Sequence, residues 1–131
     1  MAIRYKKGSP KKLSESFTST DFDCKCTREN CTDTLISDSL VTALEVLRKI
    51  SGPFEINSGF RCNAHNIAVG GAPNSQHCLG QAADCKSKTG LNGRIMAQDA
   101  ECVDAFNFGG IGTAFDWVHL DVRGYKARWK Y

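Results

Sequence analysis

The sequence predicts a single compact α+β domain in which helices flank a small antiparallel sheet. With 131 residues, the chain is long enough to form one hydrophobic core and too short for two ordinary domains. Hydrophobic residues make up 41% and charged residues 24%, a balance typical of globular proteins rather than of disordered chains. Helical and strand-like segments follow one another irregularly, without the glycine fingerprints of a doubly wound fold.

The N-terminal residues are expected to pack weakly. Residues 1–20 are rich in Lys, Ser and Thr, and Gly8-Ser9-Pro10 interrupts regular structure. We therefore expect a loosely ordered arm at 1–20 and the folded domain at 21–131. The stretch 21–34, which contains three cysteines, predicts an irregular segment that can be cross-linked.

The strongest periodic pattern predicts a long helix that begins near Ser37 or Asp38, either of which can cap it. Apolar side chains recur at helical spacing and define one buried face: Leu40, Ala43, Leu44, Leu47 and Ile50. Gly52 and Pro53 end the helix, because glycine favours the left-handed cap and proline cannot continue the hydrogen bonding.

Weaker patterns predict the remaining elements. Alternation of apolar and polar residues indicates strands, and glycine pairs mark the ends of helices. In order, we expect a strand at 54–57, a short helix at 63–69, a strand at 81–86, a second long helix from Asn92 to Gly109, and strands at 112–115 and 117–122. The buried face of the second long helix is expected to consist of Ile95, Cys102, Val103 and Phe106.

Charge and N-terminal sequence restrict the classes of function. A net charge of +3 favours an anionic polymer or surface, but it lies far below the basicity that would indicate nucleic acid. No apolar run approaches the length of a membrane span, and the first residues lack the apolar stretch of a signal peptide. We therefore expect a monomer made in the cytosol, with any action outside the cell depending on another route.

Seven cysteines are many for a chain without a secretion signal, and an odd number leaves one thiol unpaired in any disulfide framework. Cys24, Cys26 and Cys31 predict structural thiols, a small disulfide knot or part of a second metal site. Structural roles are preferred, because the paired Cys-x-x-Cys knuckles of a zinc ribbon do not occur in the sequence. Cys62 and His65 have the spacing of a metal-ligand pair, but a helix or surface histidine is the preferred interpretation.

Two imidazoles and one carboxylate define a candidate metal site. His77 and Asp84 lie seven residues apart, and Gly80 between them lets the chain turn and re-enter as a strand directed at the same point. His119 lies in a later strand-like segment. Three ligands of this kind leave the fourth position of zinc open for water, as in catalytic sites. We therefore expect these three residues to hold one catalytic Zn²⁺ ion.

Two further carboxylates flank His119. Asp121 shares its strand face and is expected to orient it by a hydrogen bond, with a role as general base as the alternative. Asp116 lies three residues before His119, so a regular strand would place it on the opposite face. It reaches the metal only if the backbone bulges or bends there, which is common beside active sites. A carboxylate next to the metal-bound water is what a hydrolase needs.

Ordered motifs in this part of the chain resemble a known family. They are Ser58-Gly59-Phe60-Arg61, Ser75-x-His77-x-x-Gly80-x-Ala82-x-Asp84 and Asp116-x-x-His119. These motifs resemble the zinc D-Ala-D-Ala carboxypeptidase and peptidoglycan endopeptidase family, which includes phage endolysins. The run Val69–His77 is similar to one in the small single-domain members, and the resemblance spans about residues 22–124.

The resemblance implies a hedgehog/D,D-peptidase-like fold and a role for each motif residue. The three ligands predicted above would bind zinc, and Asp116 would activate the zinc-bound water as general base. Arg61 would stabilise the carbonyl oxygen as it gains charge, or bind a substrate carboxylate, and Ser75 would help to hold the substrate. The implied activity is hydrolysis of peptide bonds that contain D-amino acids in bacterial peptidoglycan.

Two alternatives stand beside this hypothesis. The lack of a signal peptide and the small size suit a phage lysis or virion enzyme, while a cytosolic D,D-dipeptidase would use the same chemistry. A non-catalytic zinc-containing binding domain, as in hedgehog-type relatives of this family, belongs to a different class. Asp116 and Arg61 distinguish the enzyme from the binding domain, because a binding domain needs neither residue.

Overall fold

The computed structural model describes residues 2–131 and confirms a small α+β domain. Its strands are β1 (Ala2–Lys6), β2 (Asp33–Ser37), β3 (Phe54–Ser58), β4 (Ala82–Ser87), β5 (Gly110–Thr113), β6 (Val118–Asp121) and β7 (Ala127–Lys130). Its α-helices are α1 (Asp38–Ser51), α2 (Asn63–Ala68), α3 (Gly93–Ala100) and α4 (Asp104–Asn107). No helix within residues 2–131 combines the length and the apolar character needed to cross a membrane.

The strands of the described residues form two sheets. β1 and β2 pair antiparallel, and the larger sheet has the order β3-β4-β6-β5-β7. Neighbouring strands of the larger sheet are antiparallel except β5 and β7, which are parallel. The prediction of an antiparallel sheet therefore holds for four of the five strands. β7 was not predicted, and the loop after β6 returns the chain beside β5 in the same direction.

Helix α1 confirms the long helix predicted from periodicity. Gly52, with φ of +79°, ends it and donates a backbone hydrogen bond to the carbonyl of Arg48. The side chains of its buried face enter the core that fills the space between helices and sheets: Leu40, Val41, Ala43, Leu44 and Leu47. Ile50, which was expected on this face, is 46% exposed because it lies at the end of the helix.

The second predicted long helix is two short helices, α3 and α4. Asn92 caps α3 as expected and accepts a hydrogen bond from the backbone N–H of Ile95 at 2.9 Å. Val103 then adopts an extended conformation, with φ of −101° and ψ of 115°, which breaks the helix. Within α3 the side chain of Met96 is fully buried and Ile95 is exposed, and Cys102, next to the break, is exposed as well.

The N-terminal residues are more ordered than the sequence predicted. Residues 2–6 form β1, which pairs along its whole length with β2, so that Tyr5 lies opposite Thr34. Phe17 is 5% exposed, and its ring lies 6.1 Å from that of Phe22 and 5.8 Å from that of Phe54. Residues 2–6 and Phe17 thus contact the rest of the domain through strand pairing and aromatic packing.

If the N-terminal segment is part of the cooperative fold, Phe17→Ala will lower the free energy of unfolding by about 3–5 kcal/mol, as expected for a buried phenylalanine. Phe108→Ala is the matched control, because this phenylalanine is 64% exposed. Urea unfolding followed by circular dichroism measures both variants. Equal, small effects of the two substitutions would contradict the packing of this segment.

Candidate metal centre

A short 3₁₀ helix at Gln76–Leu79 positions His77. The hydroxyl oxygen of Ser75 caps it by accepting a hydrogen bond from the backbone N–H of His77 at 3.2 Å. Gly80 follows in the left-handed conformation, with φ of +73°, and turns the chain into β4. A β-carbon at Gly80 would also collide with the backbone carbonyl of Leu35. This confirms the predicted glycine turn and adds a packing reason why the position needs glycine.

Sheet register places the other two ligands together. Asp84 on β4 lies directly opposite His119 on β6, so both side chains project from the same face of the sheet. The carboxylate oxygen Oδ1 of Asp84 lies 3.1 Å from Nδ1 of His119 and 3.2 Å from Nε2 of His77. All three residues are buried, and their ligand atoms lie within 4.8 Å of one another. The structure therefore brings together the three predicted metal ligands.

The hydrogen bonds of the two imidazoles select which nitrogen faces the centre. Nδ1 of His77 lies 2.7 Å from the carbonyl oxygen of Gly59, which only accepts, so this nitrogen carries the proton. Nε2 of His119 donates to Oδ2 of Asp121 at 2.7 Å. The nitrogens left to face the centre are Nε2 of His77 and Nδ1 of His119.

One of these nitrogens shows that the residues fit a cation. Nε2 of His77 is buried and has no hydrogen-bond partner among the described residues. Its close approach to Asp84 is not a hydrogen bond, because a lone pair on nitrogen there faces a carboxylate oxygen that also only accepts. A metal ion between the two acceptors removes this conflict. Two imidazole nitrogens and one carboxylate oxygen are a donor set that suits zinc.

The surroundings also adjust the protonation of the ligands. Burial favours the neutral form of Asp84, but the neighbouring imidazoles of His119 and His77 favour the ionised form more strongly and hold the pKa of this carboxyl well below its usual range. Burial acts to lower the pKa of His119, whereas Asp121 and Asp84 raise it above the ordinary value for histidine. Asp84 is therefore ionised and ready to bind a metal at neutral pH.

Asp121 orients His119, in line with the preferred interpretation of the sequence. Its side chain is fully buried, and its oxygens accept hydrogen bonds from Nε2 of His119, from the backbone N–H of Gly110 at 2.9 Å, and from Nε and Nη2 of Arg123 at 2.9 and 2.7 Å. These bonds occupy both oxygens. The side chain is thus committed to holding the imidazole and has no free oxygen for a role as general base.

Arg61 reaches the same centre from the loop after β3. Its Nη2 donates to Oδ2 of Asp84 at 3.3 Å, its Nε to the hydroxyl of Ser58 at 3.1 Å, and its Nη1 to the side-chain oxygen of Asn66 at 3.2 Å. Three partners fix the plane of the guanidinium group. A guanidinium has five N–H donors, so two are left for a bound molecule.

Asp116 is the one predicted site residue that does not contact the three ligands. Its side chain is 54% exposed, and Oδ2 lies 3.4 Å from Nζ of Lys86. It belongs to the turn before β6, where the backbone N–H of Ala114 donates to the carbonyl of Trp117 at 3.0 Å, so strand alternation does not apply to it. Lys86 follows Asp84 by two residues on β4 and shares its face. Asp116 therefore lies on the metal-bearing side of the sheet but is turned toward Lys86.

The three ligands line an open cavity of about 600 Å³ together with Arg61 and Ser75. Four aromatic side chains also line it, and the sequence motifs do not single them out as site residues: Trp117, Tyr125, Trp129 and Tyr131. The ring of Trp129 lies 4.9 Å from that of His119, over Gly112, where any β-carbon would collide with it. The alternation of basic residues with Ala127, Trp129 and Tyr131 was the available signal, since it is typical of a strand with one apolar face.

An open centre of two histidines and one aspartate that lines a cavity is typical of a catalytic zinc site. The family model described as Peptidase M15 matches residues 15–121, which is most of the chain. The protein therefore belongs to the peptidase M15 family, whose members are zinc-dependent metallopeptidases. No curated protein sequence matches it.

The role of Asp121 can be tested by zinc binding. Asp121→Asn should weaken the affinity of the histidine–aspartate centre for zinc by about 10- to 100-fold, because the imidazole of His119 loses its charged hydrogen-bond acceptor. Asp104→Asn, at an exposed position on α4, is the matched control. Competition with a chromophoric chelator measures the affinity, and thermal unfolding checks that both variants fold. An unchanged affinity in a folded Asp121→Asn protein would contradict the orienting role.

Proposed function

We propose that this protein is a zinc-dependent peptidase that hydrolyses D-amino-acid-containing peptide bonds of bacterial peptidoglycan, as a D-Ala-D-Ala carboxypeptidase or an endopeptidase. The observation that carries the proposal is the unpartnered Nε2 of His77, which faces Asp84 at the base of an open cavity. A structural zinc site would be closed by a fourth protein ligand, whereas this one opens toward Arg61.

Each residue of the centre has a distinct part in the proposed reaction. Zinc held by Nε2 of His77, Nδ1 of His119 and the carboxylate of Asp84 would supply Lewis acidity, polarising the scissile carbonyl and acidifying a water molecule. The two free N–H groups of Arg61 stabilise the negative charge that develops on the carbonyl oxygen, or bind a substrate carboxylate. The hydroxyl of Ser75 accepts from the backbone and keeps its own proton to donate to the substrate.

Asp116 is proposed as the general base, which takes a proton from the attacking water and returns it to the leaving amine. To act as the base, the carboxylate must first break its ion pair with Lys86. Both partners of that ion pair are about half exposed, and such pairs contribute only about 0–1 kcal/mol, so the rearrangement costs little. The ion pair with Lys86, which shares the strand face of Asp84, supports this assignment over Asp121, whose two oxygens already accept hydrogen bonds.

The chemistry of the cavity supports a substrate that carries carboxylates, as stem peptides of peptidoglycan do. Arg61 and Arg123 both line it, and the chain as a whole has a net charge of +3. The aromatic side chains that line it offer apolar surface for small side chains such as the methyl groups of alanine. We also propose that the protein acts on the cell wall after phage-type release or as a virion component, which the small basic domain suits.

The general-base assignment predicts that Asp116→Asn will lower kcat on purified peptidoglycan by about 10²- to 10⁴-fold, because the amide cannot accept the proton. Zinc content and thermal stability should stay as in the wild type, since Asp116 contacts none of the ligands. Asp104→Asn again serves as the control. A zinc-loaded protein that leaves peptidoglycan uncut, with Asp116→Ala affecting stability alone, would instead identify a non-catalytic binding domain.

The substrate class can be tested by digesting purified sacculi and determining the masses of the released muropeptides. Loss of a terminal D-alanine would indicate a carboxypeptidase, and shortened or separated stem peptides an endopeptidase, while the glycan strands stay intact. Removal of zinc by a chelator should abolish these products, and added zinc should restore them. Cleavage of free D-Ala-D-Ala with no effect on sacculi would support the cytosolic dipeptidase and contradict action on the cell wall.

A further inference from the structure

Four cysteines meet beside the segment that carries Arg61. Cys24, Cys26 and Cys31 come from the irregular segment before β2, and Cys62 comes from the loop that leads into α2. Their sulfur atoms all lie within 4.8 Å of one another. We propose that these four thiolates bind a structural zinc ion, separate from the histidine–aspartate centre.

The distances between the sulfur atoms support a metal site over disulfides. Sγ of Cys62 lies 3.8 Å from Sγ of Cys24 and 3.8 Å from Sγ of Cys26. Four sulfurs at the usual zinc–sulfur distance of about 2.3 Å form a tetrahedron whose edge is about 3.8 Å. A disulfide would bring two sulfurs to about 2.05 Å. All four cysteines are unbonded in the structure.

Backbone donors already point at the sulfurs. The N–H of Cys62 donates to Sγ of Cys24 at 3.4 Å, and the N–H of His65 donates to Sγ of Cys62 at 3.4 Å. Hydrogen bonds of this kind orient ligands and favour the thiolate form that binds metal. His65 contributes its backbone and is not required as a ligand, because Cys62 completes a set of four sulfurs.

A positive charge lies next to the cluster. Nζ of Lys7 is 3.4 Å from Sγ of Cys31 and 3.8 Å from Sγ of Cys26, and it donates to the carbonyl oxygen of Cys26 at 2.9 Å. Four thiolates around a divalent zinc carry a net charge of about −2, which the ammonium group partly offsets. The lysine is thus placed where a tetrathiolate site needs a cation.

The proposed ion would join two parts of the chain that support the catalytic centre. The backbone N–H of Phe60 donates to the carbonyl of Phe22 at 2.8 Å, and a β-carbon at Gly59 would collide with Phe22. The same short segment supplies the Gly59 carbonyl that fixes His77 and the guanidinium of Arg61. Zinc at the cysteines would therefore hold the irregular segment against this support, since a bound metal contributes folding energy directly.

Metal analysis tests the proposal independently of the peptidase activity. Protein purified under reducing conditions should contain two equivalents of zinc. His77→Ala/His119→Ala should retain the one at the cysteines, and Cys26→Ser/Cys62→Ser should lose it. Cys102→Ser is the matched control, because this cysteine is exposed and lies outside the cluster. After replacement of zinc by cobalt, the histidine variant should keep the sulfur-to-cobalt charge-transfer absorption and the cysteine variant should lose it.

The opposite results are equally clear. The proposal is overturned if the only bound zinc disappears with His77→Ala/His119→Ala, if the bound metal is iron, or if the intact mass of unreduced protein is lower by four hydrogens, which indicates two disulfides. Should the cysteine variant not fold, treatment of the His77→Ala/His119→Ala variant with a mercurial thiol reagent is decisive. Release of one zinc equivalent from the histidine variant under this treatment supports the site, and release of none overturns it.

Discussion

The buried carboxylate of Asp84 is the constraint on which the centre depends. A charge removed from water must be compensated, and three cationic or metal-binding groups surround this one: Arg61 at 3.3 Å, His77 at 3.2 Å and His119 at 3.1 Å. A different part of the fold positions each group. Arg61 lies in the loop after β3, His77 in the 3₁₀ helix that ends at Gly80, and His119 opposite Asp84 in the register of β4 with β6. Nε2 of His77 and Nδ1 of His119 both face the carboxylate as acceptors. A cation between them and Asp84 is therefore needed to complete the centre.

The parts of the molecule that the sequence predicted are those with a local signal. The buried face of α1 and the turn at Gly80 each depend on residues that are close in sequence, and both were predicted correctly. The metal centre was predicted from two separate local motifs, one around His77 and Asp84 and one around His119, and the family resemblance joined them across 35 positions. By contrast, β1 depends on pairing with a strand about 30 residues away, and Cys62 meets Cys24 across 38 positions. No local pattern encodes such contacts, so the packed N-terminus and the four-sulfur cluster emerge only in three dimensions.

Strand alternation gave a partly misleading expectation for the carboxylates near His119. Asp121 stays on the face of His119, as alternation requires, and its hydrogen bonds exclude it as a base. Asp116 was expected to need a bulge in a strand, but β6 begins at Val118, so the residue lies in a turn and is free of the rule. Because Asp116 lies in this turn, its side chain contacts Lys86, which shares the strand face of Asp84. The position of Asp116 relative to the metal ligands therefore depends on where β6 begins, and the ends of short strands are the part of a fold that a sequence predicts least accurately.

The segment Gly59–Cys62 links the histidine–aspartate centre to the sulfur cluster. Its first residue fixes the tautomer of His77, Arg61 holds the second oxygen of Asp84, and Cys62 belongs to the sulfur cluster. The segment has no regular secondary structure of its own, so its position must come from these contacts and from Phe22 beneath it. Groups that stabilise developing charge act well only when they are held in place before the reaction. A site that anchors Cys62 therefore acts on Arg61 through one peptide bond, which connects the order of the N-terminal segment to the chemistry of the cleft.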